Sequence, residues 1–363
     1  MLDIQDIQDI NTPIHQYTIT LQLYNMNSLN DVENLVLSGG GMLGISYIGI
    51  FRYLEEHKIT RKIKTVIGSS AGAIFGMLFI LGYTPNEIYD KFKDLKFREY
   101  IPITADSLLN LIRVKGVNSC SIIVQCLKDA LLEKTGSENT TFKEFYMRYG
   151  ITFRVGATNL TTSRFELLDH TNIPDVPLYL AIKASVAIPF VFEPVVIGEN
   201  IYCDGGLCDN LPIDYIVDTI KQDQDIRITD SNETSNIDKD KDNDKDKDKD
   251  KDTSHECVKI KHNNQPKIKT LGIYLTNIQD SINSENYQDA SIYQYLNSVL
   301  HATFLHPTLE KKAQEKIKNY KIVIIEIPCD IMTFLKLHAT LADLDNIIDI
   351  AYETITKECT SNI

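Results

Sequence analysis

Between residues 34 and 220 short β-branched runs alternate with stretches whose apolar residues recur every three to four positions. That is the pattern of a βαβ chain. Leu35-Val36-Leu37 reads as a buried strand, and Ile45 to Glu56 as a helix with Ile48, Phe51 and Leu54 along one apolar face. Ile63 to Ile67 reads as the next strand and Ala73 to Leu81 as the next helix, with a further short strand at Asn200 to Cys203. After an interruption at 222–266 the rhythm resumes. Lys269–Leu275 and Lys321–Ile327 read as strands, Ala290–His301 and Thr308–Lys318 as helical, and Ala342 to Lys357 as a final amphipathic helix. Two late strands would have difficulty making a stable sheet alone. We therefore expect 34–221 and 267–358 to form one α/β domain.

Two regions lack this pattern. Residues 1–33 are polar and irregular, with a crude Ile-Gln-Asp repeat from Asp3 to Ile10, and are expected to form an extension. Within 222–266, Asp238 to Asp252 alternates Asp with Lys around Asn243 and contains nothing apolar to bury. This insertion is expected to be disordered. Its alternating signs nearly cancel, which makes it a poor grip for a metal or a nucleic acid.

Composition narrows the function classes. The chain has 363 residues, 43% of them hydrophobic, enough for a sizeable core. Its 37 basic against 50 acidic residues give a net charge of −13, which argues against nucleic-acid binding. Seven cysteines, with no Cys-x-x-Cys pair, read as reduced thiols of an intracellular protein. The acidic start Met1-Leu2-Asp3 is unlike a secretory signal, and the most apolar run, Ala73 to Leu81, is far shorter than a membrane helix. A soluble, intracellular chain is expected.

Three constellations carry candidate chemistry. Ser38-Gly39-Gly40-Gly41-Met42-Leu43-Gly44 links the first strand to the first helix. Such a loop turns backbone N–H groups inward beside a helix N-terminus and so binds an anion, either a phosphate or a transient oxyanion. A dinucleotide site would need an acidic residue ending the next strand, and a Walker loop a lysine after the glycines; neither is present. The second constellation, Gly68-Ser69-Ser70-Ala71-Gly72, is Gly-x-Ser-x-Gly on a strand-to-helix turn, where Gly68 and Gly72 permit the tight bend that exposes Ser70. Ser69 is expected to pack or hydrogen-bond locally. Third comes Asp204-Gly205-Gly206, which ends a short strand and fixes a carboxylate on a sharp turn. Alone, each has a structural explanation: a tight-packing turn for the second, a plain hairpin for the third. Neither Cys203 with Cys208 nor His301 with His306 has a metal-site spacing, so no metal is expected. His301 and His306 remain weak reserves for a catalytic base.

Taken in this order, the motifs resemble the patatin-like phospholipase family. Ala157-Thr158-Asn159-Leu160-Thr161-Thr162, Ala184-Ser185-Val186-Ala187-Ile188-Pro189 and Asp204 through Pro212 are further matches. The resemblance covers about 34–220. It implies a three-layer α/β/α sandwich with a mostly parallel central sheet, and hydrolysis of acyl esters in lipids without calcium or any cofactor. It further implies Ser70 as nucleophile, Asp204 as the base that takes its proton, and Gly39, Gly40, Gly41 and Gly44 as the oxyanion hole. Partners would be a phospholipid or another acyl-ester lipid, with transient contact at a membrane surface. Leu43 departs from the family loop, which commonly has Arg or Lys there. That departure keeps a catalytically silent lipid-binding protein in view, alongside a nucleotide-binding Rossmann-type protein and an acyltransferase using the same dyad.

Overall fold

Leucine and valine after Asn34 give β1 (Asn34–Leu37), whose side chains alternate between the two faces of a sheet. Leu35 and Leu37 join the main apolar core, while Val36 turns to a second cluster with Ile67, Leu211, Ile213, Ile216 and Tyr274. The computed structural model describes residues 29–93, 111, 113–216, 270–277, 322–329 and 341–360. A 3₁₀ turn (Gly41–Ser46) leads from β1 into α1 (Tyr47–Glu56), followed by β2 (Thr65–Ser69), α2 (Ala71–Ile80) and α3 (Pro85–Lys93). Next come β3 (Gly116–Asn118), α4 (Ser121–Thr135), α5 (Phe142–Tyr149), β4 (Thr152–Asn159), β5 (Arg164–Leu168) and α6 (Leu178–Ser185). The order ends with β6 (Phe190–Phe192), β7 (Val195–Ile197), β8 (Asn200–Asp204), β9 (Thr270–Asn277), β10 (Ile322–Cys329) and α7 (Leu341–Thr360).

The eight-stranded sheet has the order β10-β9-β1-β2-β4-β8-β7, with β5 on β4. Pairing is parallel from β10 to β4 and antiparallel for β4–β5, β4–β8 and β8–β7. The α/β architecture is thus a mixed sheet: a parallel block with an antiparallel flank. β1 sits in the middle, between β2 and β9, although Asn34 and Thr270 are 236 residues apart. Residues on both sides of 222–266 therefore share one sheet.

Helix α2 is apolar on every side because it lies in the interior: Ala71, Ala73, Phe75, Met77, Leu78 and Ile80 are all buried. Helix α1 buries more than the one face its sequence predicts, with Tyr47, Ile50 and Tyr53 covered as well. Two neighbours cover it: the Tyr47 ring lies against Phe75 of α2, and α7 crosses so closely that a Cβ on Gly49 would lie 2.1 Å from the Ile348 carbonyl oxygen. The core also begins earlier than the predicted boundary at residue 34, since Leu29 and Val32 are buried in the main cluster. Several expectations lie outside the described residues: the 222–266 insertion, the helical patterns at Ala290–His301 and Thr308–Lys318, and both reserve histidines. No helix among the described residues is long and apolar enough to cross a membrane.

Candidate active site

β2 ends at Ser69 and α2 begins at Ala71, so Ser70 must make the turn, with φ 50° and ψ −121°. A side chain is rare at such a positive φ, and holding one there costs about 1–3 kcal/mol. Two hydrogen bonds fix the strained residue. The Ser70 N–H donates to Ser185 Oγ (2.8 Å), and Ser185 Oγ donates to the Gly156 carbonyl on β4 (2.6 Å). Backbone crowding explains the flanking glycines: a Cβ on Gly68 would lie 2.3 Å from Gly72 O, and one on Gly72 would lie 2.3 Å from Leu37 O. Ser69 is buried beside this turn, and its Oγ has no partner among the described residues, so it packs and does not hydrogen-bond. Ser185→Ala would strand the buried Ser70 amide and take one donor from the Gly156 carbonyl. It is expected to lower stability by about 1–3 kcal/mol in urea unfolding.

β8 delivers Asp204 to the same place from 134 residues away. Ser70 Oγ donates to Asp204 Oδ2 at 2.6 Å, and the Gly206 N–H donates to Oδ1 at 2.8 Å. The Asp204 backbone is held too, its N–H donating to Ala187 O (2.9 Å) and its carbonyl accepting from Thr158 Oγ1 (2.9 Å). Gly205 has no room for a side chain, because a Cβ there would meet Gly156 O at 2.4 Å and Ser69 Oγ at 2.5 Å. Burial raises the Asp204 carboxyl to about 6, against the opposing pull of its bonds from Ser70 and Gly206. Next to it, burial first and the Asp204 charge second push the Cys203 thiol up to about 12, which keeps it unreactive.

The glycine loop passes beside Ser70. A Cβ on Gly39 would come 3.0 Å from Ser70 Cβ and 2.4 Å from Asn210 Oδ1. Its amide, however, already donates to Asn210 O at 3.2 Å, which takes Gly39 out of the expected set of free donors. Gly41 has φ +55° and opens the 3₁₀ turn. Among the described residues, no turn or loop hydrogen bond has the amide of Gly40 or Gly41 as its donor. Gly44 lies within that turn, where a Cβ would strike the Phe75 ring (2.7 Å) and Ala71 Cβ (3.0 Å); close packing requires it. Leu43, at the position where a cation is common, is buried in the main core.

No histidine among the described residues contributes to the pair. His57 Nδ1 lies 2.9 Å from Tyr53 O, and His170 stacks on Tyr146 at 3.9 Å. Among the described residues, no group of three or more His, Cys, Asp or Glu is placed to hold a metal ion.

A serine elbow on a strand-to-helix turn is not by itself diagnostic of one family. The family model for patatin-like phospholipases matches residues 35–217, just over half of the 363 residues. The chain belongs to this family. Among its relatives, a probable lipid hydrolase of Invertebrate iridescent virus 6 is 34% identical over 187 residues, which is 51% of this chain and 63% of that protein. A lysophospholipase of Meyerozyma guilliermondii is 28% identical over 195 residues, 51% of this chain but 12% of the relative. The chain thus spans less than two thirds of either relative's length. The crystal structure of VipD from Legionella pneumophila aligns with 92% of this chain and 67% of its own, at 18% identity and TM-score 0.47.

Sequence reading missed three members of this patatin-like site. Ser185 and Asn210 stand inside the matched motifs, yet nothing in their spacing says that one anchors the Ser70 amide and the other meets Gly39. Ser38 precedes the glycines and takes a hydrogen bond from the Leu275 N–H of β9 (2.9 Å), a partner 237 residues away that no local pattern reveals.

Proposed function

We propose that this protein is a lipid acyl hydrolase that cleaves fatty-acyl esters through an acyl-serine intermediate, with Ser70 as nucleophile and Asp204 as its base. The observation that carries this reading is the 2.6 Å hydrogen bond from Ser70 Oγ to a buried Asp204 carboxylate at a strained turn. Asp204 Oδ2 takes the Ser70 proton as Oγ attacks the ester carbonyl, and the protonated Asp204 passes that proton to the leaving alcohol. A water then attacks the acyl-Ser70 carbonyl, gives its proton to Asp204, and the proton returns to Ser70. Aspartate is ordinarily too weak a base for this work. Burial at this site makes it stronger and moves its protonation toward the working pH.

Charge on the tetrahedral oxygen is met by the N–H groups of Gly40 and Gly41, with the first turn of α2 adding its dipole at Ser70. The glycine loop's position against Ser70 favours this role over nucleotide binding, since any phosphate there would occupy the place of the reacting carbonyl. A phospholipid or neutral glyceride fits as substrate, on the precedent of relatives named as a lipid hydrolase and a lysophospholipase.

The test offers the full chain a p-nitrophenyl fatty-acyl ester, phosphatidylcholine vesicles and a fluorophosphonate probe. The expected results are release of fatty acid and a phosphonate adduct on the peptide containing Ser70. Folded protein that hydrolyses neither substrate and takes up no probe overturns the reading.

A further inference from the structure

We infer that Asn210 and Ser38 are positioning residues for the reaction: together they grip the Gly39 carbonyl and thereby aim the Gly40 N–H at the oxygen that becomes negative in the transition state. This inference rests on the reading of Gly40 as an oxyanion donor. The two groups at issue belong to one peptide unit. Because that unit is planar, with its C=O and N–H pointing in opposite directions, holding the Gly39 carbonyl fixes the direction of the Gly40 amide. Between two glycines the unit would otherwise rotate easily, as no Cβ on either side restricts it.

Both acceptor positions of the Gly39 carbonyl are filled, one by the neighbouring residue and one from 171 residues away. Ser38 Oγ donates to it at 3.0 Å and Asn210 Nδ2 at 3.3 Å. Each donor is itself set. Ser38 Oγ is fully buried and receives the Leu275 N–H at 2.9 Å, while the Tyr47 hydroxyl sends its own hydrogen to Ser38 O at 2.7 Å. The hydroxyl hydrogen of Ser38 is left to point at Gly39. Asn210 is tied to the same residue a second time through its backbone oxygen, which accepts the Gly39 N–H at 3.2 Å. It meets Gly39 on both polar groups, as a neighbouring strand would.

Asn210 also links the two halves of the site. It lies six residues after Asp204 in the same segment, and its Oδ1 would lie 2.8 Å from a Cβ on Gly206, the residue whose amide holds Asp204 Oδ1. The turn that presents the base is therefore registered against the loop that presents the oxyanion donor. A displacement of one moves the other.

Asn210→Leu keeps the approximate shape and removes the side-chain donor; Ser38→Ala does the same for the hydroxyl. Each is expected to lower kcat on a soluble p-nitrophenyl ester by about 10- to 100-fold, somewhat less than outright loss of a donor, with KM within about twofold. A trifluoromethyl ketone, whose hemiketal oxygen mimics the oxyanion, should lose affinity by the same factor. The double variant should fall to the product of the singles or below it, because each single variant keeps one of the two bonds to the carbonyl. Thermal unfolding of each variant is measured alongside, and Asn210→Asp replaces Asn210→Leu if the latter does not fold. Wild-type kcat and inhibitor affinity in folded variants overturn the inference, as does a loss expressed entirely in KM. If Ser70→Ala is inert while those variants are unimpaired, this inference alone fails. If Ser70→Ala retains turnover, the hydrolase reading fails first.

Discussion

Ser70→Ala is expected to reduce ester turnover by on the order of 10⁵–10⁶, the scale seen when a serine hydrolase loses its nucleophile. Alanine accepts the φ of 50° no better and no worse than serine, and Ser185 still receives the residue's N–H, so the turn should persist. The fold is retained while the chemistry goes. Hydrolysis of a soluble ester, fluorophosphonate labelling and near-ultraviolet circular dichroism measured on one preparation separate these effects. Turnover within about tenfold of wild type in a clean Ser70→Ala preparation would exclude an acyl-Ser70 intermediate.

Asp204→Asn should cripple the enzyme and make it harder to unfold. Loss of a general base typically removes about 10²–10⁴ in rate. The stability effect follows from the raised carboxyl. Folded Asp204 keeps its proton up to about pH 6, whereas a free aspartate releases it near 3.8. Burial therefore opposes the charged form. The stability contributed by this group is intact below about pH 3.8 and is lost as pH rises through about 6. Above that the native state holds a buried carboxylate, at a cost on the order of 3 kcal/mol that an amide does not incur. Asp204→Asn is thus expected to melt several degrees above wild type at pH 8, with the gap closing toward pH 4. Wild-type turnover should fall about tenfold per pH unit below about 6 and level off above it. Equal melting temperatures at pH 8, together with activity that is flat down to pH 5, would refute both halves of the argument.

What the sequence disclosed and what it concealed have physical causes. β1, β2 and their helices were legible because an all-apolar strand followed by glycines and an amphipathic run has few other ways to fold. Gly68 and Gly72 were legible for a related reason: a Cβ at either position would lie 2.3 Å from a backbone oxygen, so nothing larger than glycine fits. The antiparallel flank was harder. β7 and β8 are short, and their order in the sheet depends on pairing with β4, to which Asp204 comes opposite Ala157. Helix α5 was not read from the sequence, although Thr141 and Glu144 form a capping box at its start. Gly39 was expected to donate to the oxyanion because every glycine in such a loop offers an amide. That Asn210 had already claimed this one depends on a contact across 171 residues.

The place of β9 beside β1 bears on the order in which the site is assembled. Ser70 and Asp204 are both synthesised well before Leu275, yet Leu275 supplies the amide that orients Ser38, and β9 closes the open side of β1. A nascent chain therefore contains both Ser70 and Asp204 before the strand that pairs with β1 has been made. Competence arrives only when the last third of the polypeptide threads back beside its beginning, a slow, long-range closure. Until then, the growing chain carries Ser70 and Asp204 without the strand whose Leu275 amide orients Ser38.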